Sequence, residues 1–300
     1  MKRILLTSSV LVFAAGFATA EVSMTGDGVF GLKYDGNDTR LHYELDFTVV
    51  GTTTTDSGIK FGASFDLDLD DGTTENEIDD PEITIMSGPF SAYIGKVDSA
   101  SDAFVTSLSD PGFDGIGVDD GVETYFNDGD YNVLLKYQTD SFGVGLSYDI
   151  DDSNGSSTDH LSLAVSYELS PSLKLALGYE DVGTADITSV SLSGNIAGGD
   201  STGPADSLGL TPLDYAIMGV FFDSGGSTVQ TFGASLTFGL GGGATLTTTI
   251  GVDEDRIAIG NENDFGIGYK RPLGGGVSVA AGIGQVDGET VGDFGVIFNF

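Results

Sequence analysis

Residues 142–150 read FGVGLSYDI, with Phe142, Val144, Leu146, Tyr148 and Ile150 alternating against Gly143, Gly145, Ser147 and Asp149. A two-residue period belongs to extended chain, whose successive side chains point to opposite faces, and it is incompatible with an amphipathic helix. The preceding segment repeats the pattern. Tyr131, Val133, Leu135 and Tyr137 share one parity and Asn132, Lys136 and Gln138 the other, with Leu134 the exception and a tight turn at 139–141 between the two segments. Both apolar rows run aromatic, aliphatic, aliphatic, aromatic. A soluble sandwich has no reason to place rings near both ends of each strand. A strand crossing a bilayer does, because rings settle at the two water interfaces and aliphatic side chains meet the lipid tails between them.

The same scheme extends along the chain, in Leu41, Tyr43, Leu45, Phe47 and Val49, in Phe61, Ala63, Phe65, Leu67 and Leu69, and in Leu173, Leu175, Leu177 and Tyr179. Cations test the register. Lys33, Arg40, Lys60, Lys136, Lys174 and Lys270 all fall on the parity opposite their strand's apolar row. A lysine facing lipid at mid-bilayer would cost about 2–4 kcal/mol, so this placement supports an apolar row turned to lipid. The polar rows then need water, since so many charges in a packed core would be unaffordable, and the sheet must enclose a hollow interior. Lys96 fits either parity, because its strand reads equally well with Ala92 and Ile94 outward or with Tyr93 and Val97 outward.

Sixteen such segments can be counted, at 22–34, 40–50, 58–69, 81–87, 90–97, 131–139, 142–150, 160–168, 173–181, 187–197, 213–222, 228–239, 244–252, 263–270, 276–284 and 291–300. An even number of antiparallel strands suits a closed transmembrane barrel. Short turns at 87–90, 169–172, 240–244 and 272–276 alternate in several places with acidic loops, which predicts turns at one end and longer loops at the other. The count is weakest over 187–227, where GGDSTGPADSLGLTP is too long for a turn and leaves the position of a strand open. The last strand, VGDFGVIFNF, puts Phe294, Val296, Phe298 and Phe300 on one parity, with Ile297 out of place on the other. Pairing of this strand with the first would close the barrel.

Residues 1–20 carry Lys2 and Arg3, an apolar run from Ile4 to Phe17 and the small-residue pattern Ala18-Thr19-Ala20, which predicts a secretory signal peptide cleaved before Glu21. Residues 21–300 then form a single barrel domain. The formal charge of −35 excludes nucleic acid as a partner, because phosphate binding needs a basic surface. With 40% hydrophobic residues the chain is not disordered, and with no cysteine it has neither disulfides nor thiolate metal sites.

The stretches GTTTTDSGIKFGASFDLDL, SGPFSAYIGK followed by a long excursion to YNVLLKYQTDSFGVGLSYD, and the closing DFGVIFNF resemble the general diffusion porins of Gram-negative outer membranes, particularly the alphaproteobacterial type. The resemblance covers residues 21–300 in outline, is specific at both ends and is poor over about 184–228. It implies a sixteen-stranded antiparallel barrel in the outer membrane, a homotrimer embedded in lipid, with a third loop folded inward to narrow a channel for small hydrophilic solutes. It also implies that Phe294, Val296, Phe298 and Phe300 form the signal read by the barrel insertion machinery.

Residues 98–130 form the longest gap between confident strands and mix Phe104, Val105, Leu108, Phe113, Ile116 and Val118 with carboxylates. That mixture predicts a constriction loop whose apolar residues pack on the inner wall while Asp102, Asp110, Asp114, Asp119, Asp120 and Glu123 line the aperture. The expected pore wall comprises Asp27, Lys33, Arg40, His42, Glu44, Asp46, Lys60, Asp66 and Lys96. Such porins commonly oppose the loop with a row of arginines, but here cations and anions are mixed, and a weakly cation-selective pore is expected. A channel dedicated to one substrate stays open as an alternative within the class. A barrel hydrolase would have only His42 and His160 as imidazole bases, and neither lies in a nucleophile motif. No cofactor and no metal motif is expected. DLDLDDG and GVDEDR leave room for structural calcium in a secreted β-protein, although a closed site needs about six to eight oxygens from a looped chain, and solvated acids are the simpler reading.

Overall fold

The computed structural model describes residues 20–70, 77–126, 131–150, 159–170, 172–196, 213–253 and 263–300. The signal peptide expected over 1–20 therefore lies, apart from Ala20, outside the described residues. So do the centres of the acidic loops at 71–76, 151–158 and 254–262.

Sixteen strands are present. The first half comprises β1 (Glu21–Tyr34), β2 (Thr39–Thr54), β3 (Lys60–Asp70), β4 (Glu77–Ser87), β5 (Phe90–Val97), β6 (Tyr131–Gln138), β7 (Phe142–Tyr148) and β8 (Leu161–Ser170). The second comprises β9 (Leu173–Asp181), β10 (Asp186–Ile196), β11 (Leu213–Ser224), β12 (Ser227–Leu240), β13 (Ala244–Asp253), β14 (Asp264–Gly274), β15 (Val277–Val286) and β16 (Glu289–Asn299). Every strand pairs antiparallel with its sequence neighbours, and β1 pairs with β16 to close the barrel. The seam runs from Tyr34 opposite Gly292 to Asp27 opposite Asn299, and Gly26 and Phe300 extend it by exchanging two backbone hydrogen bonds of 2.9 and 2.8 Å. Closure leaves no unpaired edge, which is what a strand protein needs in a medium without water. Among the described residues no helix is long and apolar enough to cross a membrane, so strands make the crossing.

The period-two pattern becomes the two faces of the wall. In β7, Phe142, Val144, Leu146 and Tyr148 are exposed on the outside, while Gly143, Gly145 and Ser147 are buried on the inside. Each expected strand has its counterpart, including those of the weak region 187–227.

Three expectations need correction. Tyr131 does not join the outward row of β6. It turns inward, 4% exposed, and donates a hydrogen bond of 2.9 Å to Glu180, because a bulge against β5 shifts the register between Ile94 and Val97. That bulge also bears on Lys96. Gly95 adopts a φ of 138°, Ile94 faces out and Val97 is buried inside, so Lys96 lies exposed at the irregularity rather than within a regular wall row. Finally, residues 197–212 separate β10 from β11 at the end that carries the tight turns at 88–89 and 275–276, so short connections are not the rule there, and those residues themselves lie outside the described ones.

Candidate functional site

The segment after β5 begins with a short helix, α1 (Ala100–Phe104), whose cap Ser99 accepts a hydrogen bond from the Asp102 amide at 2.9 Å. Phe104, 2% exposed, packs on Gly143 and Gly145 of β7, the buried row of that strand. A Cβ on Gly145 would stand 2.6 Å from Phe104 Cε2, so glycine there makes the slot that the ring occupies. Ser101 is joined to Ser162 of β8 by its amide at 3.0 Å and its hydroxyl at 3.1 Å. Contacts of this kind, all to the row opposite the lipid-facing one, put the segment against the inner face of the wall.

Further along, the Thr106 amide donates to Ser191 at 2.8 Å and the Ser109 amide to Ser235 at 3.1 Å, while Val105, Leu108 and Val122 pack with Ile187, Met218 and Val220. On β11 the inner row of Ala216, Met218 and Val220 is as apolar as the outer one, which explains why the alternation is weak there, whereas the inner row of β10 is Ile187 followed by Ser189, Ser191 and Ser193. A second short helix, α2 (Asp120–Glu123), is tied to β12 by Thr231, whose hydroxyl donates to the Val122 carbonyl at 2.6 Å. Phe113 lies against Gly31 and Gly295, and Val118 against Gly266. The two exceptions to the sequence pattern have the same cause. Leu134 is buried with Phe104 and Ala100, and Ile297 lines a space shared with Gly112 and Phe113.

Asp293 of β16 fixes the tip. One carboxylate oxygen accepts from the Phe113 and Asp114 amides at 2.8 and 3.3 Å, and the other from the Gly282 amide at 2.6 Å. Asp110 folds the tip on itself by accepting from Gly117 and Val118 at 2.6 and 3.1 Å. Glu123 likewise accepts from the Leu108 amide at 2.7 Å, so both are structural acceptors as well as charges.

The wall and tip meet at Asp114. Its Oδ2 lies 2.5 Å from Lys33 Nζ and 2.7 Å from His42 Nε2, and His42 Nε2 is 3.1 Å from Glu44 Oε1. Lys33, Arg40, Asp110, Asp114 and Asp120 line one cavity of about 270 Å³. The remaining expected residues divide by level. Asp27 of β1, Asp46 of β2 and Asp68 of β3 are register neighbours and form an acidic row, while Asp66 and Lys60 lie elsewhere on β3. Lys96 is separate from the group, and Asp102 sits beside Asp98 on the α1 side.

Burial raises the carboxyls of Asp102, Asp110 and Glu123 above their ordinary range. Asp119 is pushed up to about 7, by burial first and then by the negative charges of Asp110 and Glu123. Sequence reasoning missed Asp293, and it put Lys136 and Lys174 on the water-facing parity without including them in the pore wall. Lys136 lies 4.3 Å from the Tyr93 ring centre, and Lys174 Nζ reaches Thr106 Oγ1 at 3.5 Å. The inward parity of Asp293 was readable, but its partners lie 180 and 179 residues away in the chain.

An apolar exterior, a hydrogen-bond ladder without edges and a charged interior define a transmembrane β-barrel pore. The family model for Gram-negative porins matches residues 7–290, and the chain belongs to that family. Two curated relatives named Porin are 26% identical (Rhodobacter capsulatus) and 29% identical (Fuscovulum blasticum), each match covering 93% of this chain and all of the relative. Among solved structures, two substituted variants of Rh. blastica porin superpose with a TM-score of 0.73 at 22% and 23% identity, again over 93% of this chain and all of theirs, which supports the fold. The protein is a diffusion channel of a Gram-negative outer membrane.

Proposed function

We propose that the channel is a weakly cation-selective pore for ions and small hydrophilic solutes, narrowed by residues 98–130. The observation that carries this reading is the balance around the tip. Lys33 is matched by Asp114 at 2.5 Å, Glu44 stands beside His42, and in the cavity that Lys33 and Arg40 line the two cations are outnumbered by Asp35, Asp110, Asp114, Asp120 and Asp293. The acidic row of Asp27, Asp46 and Asp68 lies further along the same wall. Such a lumen attracts cations and depletes anions, and salt weakens the effect, since the Debye length is about 10 Å at 0.1 M. The zero-current potential across a potassium chloride gradient tests it: potassium is expected to be preferred, and a chloride preference would overturn the charge argument.

The resemblance also supports a homotrimer, cleavage of residues 1–20 on export, and insertion guided by Phe294, Val296, Phe298 and Phe300. Phe294 and Phe300 are exposed on the lipid side, and the Phe298 and Phe300 rings stack 5.9 Å apart over the seam glycines Gly28 and Gly26. Light scattering of the detergent-solubilised protein would give the oligomer's mass. Replacement of Phe300 by Asp is expected to lower the amount reaching the outer membrane.

A further inference from the structure

We propose that His42, Glu44 and Asp114 form a binding site for a divalent transition-metal cation of the zinc type, which would clamp the tip of the 98–126 segment to the wall. The donor atoms of the three side chains all lie within 4.8 Å of one another. His42 and Glu44 are two residues apart on β2 and therefore share the inward row of one rigid strand. Asp114 is brought to them from the other element, with its backbone amide and that of Phe113 held by Asp293.

The distances suit a metal. Zinc binds imidazole nitrogen and carboxylate oxygen at about 2.0–2.2 Å, and tetrahedral geometry at that length separates ligand atoms by about 3.3–3.6 Å. His42 Nε2 stands 2.7 Å from the Asp114 oxygen and 3.1 Å from the Glu44 oxygen, so these two pairs need to open by less than about 1 Å to admit the ion. The imidazole is 8% exposed and its ring lies 6.1 Å from that of Phe113, which restricts its swing. Glu44 and Asp114 are only partly buried, so water from the lumen can complete the shell. One nitrogen and two carboxylates with an open position is a donor set for zinc rather than calcium, which takes about six to eight oxygens.

Lys33 is the built-in competitor. Its ammonium sits 2.5 Å from the same Asp114 oxygen, so an incoming cation must displace it. Removing Lys33 should therefore tighten metal binding, whereas removing His42 should weaken it. Binding rests on the geometry alone; its effect on current rests on the reading that residues 98–130 narrow the pore.

The test is calorimetric titration of the purified full-length porin in detergent with zinc chloride, and with calcium chloride as control, followed by zinc addition to single channels in planar bilayers. One zinc per chain is expected, with calcium at least about tenfold weaker. His42→Gln should weaken zinc binding by about tenfold or more, and Lys33→Gln should strengthen it by about threefold. A gain of affinity in Lys33→Gln cannot come from misfolding, which keeps the proposal testable if His42→Gln folds poorly. No zinc binding by the wild type, undiminished binding in folded His42→Gln, or unchanged affinity in Lys33→Gln would each overturn the site. Zinc bound as expected with no fall in current would leave the site standing and instead overturn the reading that this segment narrows the pore.

Discussion

From Asp98 to Ser109 the inner segment is held by packing and neutral hydroxyls, whereas from Asp110 to Asp120 carboxylates are added to the packing of Phe113 and Val118. In the first stretch Phe104 fills the slot above Gly143 and Gly145, and Ser162, Ser191 and Ser235 supply uncharged partners. In the second, Asp293 gathers the amides of Phe113 and Asp114, Asp110 gathers those of Gly117 and Val118, and Lys33 meets Asp114. Packing does not respond to salt or pH, and charge does. The fold thus anchors one end of the segment permanently and places the adjustable end where solutes pass.

The largest effect is expected from breaking the first anchor. Phe104→Ala deletes a buried ring, a change that typically costs about 3–5 kcal/mol, and it should free the α1 end of the segment without opening the strand ladder. Single-channel conductance should rise and become noisy, and the segment should become cleavable by added protease while the barrel's thermal transition changes little. Gly145→Val should do the same by intruding on the ring.

Breaking the second anchor should matter less. Asp293→Ala removes the acceptor of three backbone amides, and hydrogen bonds to a charged group contribute about 1.5–3 kcal/mol each before water replaces them. Only the tip should loosen, with a smaller rise in conductance than in Phe104→Ala. A rise as large as that of Phe104→Ala would erase the distinction between the two stretches.

The charged stretch should respond to pH through Asp119. Asp119, pushed up to about 7 from an ordinary value of 3.8, carries a proton in mildly acidic solution and loses it as pH rises through neutrality. Because its folded value lies above the unfolded one, its contribution to holding the tip is complete below about 4 and is lost as pH rises through about 7. Cation preference, measured by zero-current potential, should therefore increase from roughly pH 6 to roughly pH 8, and Asp119→Asn should flatten that increase.

The smallest effect on stability is expected at Lys33. Its pair with Asp114 is about one-fifth exposed on both sides, and Lys33→Gln should change the thermal stability by no more than about 1 kcal/mol. Its mark should be on selectivity instead, as a shift of the zero-current potential further toward potassium.

Much of the wall was legible in the sequence because its determinants are local. Lipid on one side and water on the other impose a two-residue period on every strand, so the outward rows of β2 and β7 and the inward placement of Lys33, Arg40 and Lys136 could be read from parity. Strand β11 gave a weak signal for a physical reason: Ala216, Met218 and Val220 face an apolar segment rather than water, so the alternation fades. Tyr131 was misplaced because a bulge in the neighbouring strand β5 alters its pairing, and nothing in 131–138 itself carries that information.

The acids of the inner segment were identifiable as a group, since carboxylates interspersed with Phe104, Leu108 and Phe113 suit neither a solvated loop nor a core. Their division of labour was not. Asp110 and Glu123 accept backbone amides, Asp119 holds a proton near neutrality, and Asp114 meets Lys33 and His42. Each role depends on a neighbour supplied by the path of the folded segment.

Sequence by itself therefore determined the strands and, outside the bulge between β5 and β6, their lipid-facing and water-facing rows. Only the tertiary structure decided which carboxylate meets which cation, that Gly143 and Gly145 make room for Phe104, and that His42, Glu44 and Asp114 converge. The first set follows from the solvent each side chain meets, which the order of residues encodes directly. The second follows from closing the sheet into a ring, which brings together residues as distant as Phe113 and Asp293 whose order in the chain carries no trace of their contact.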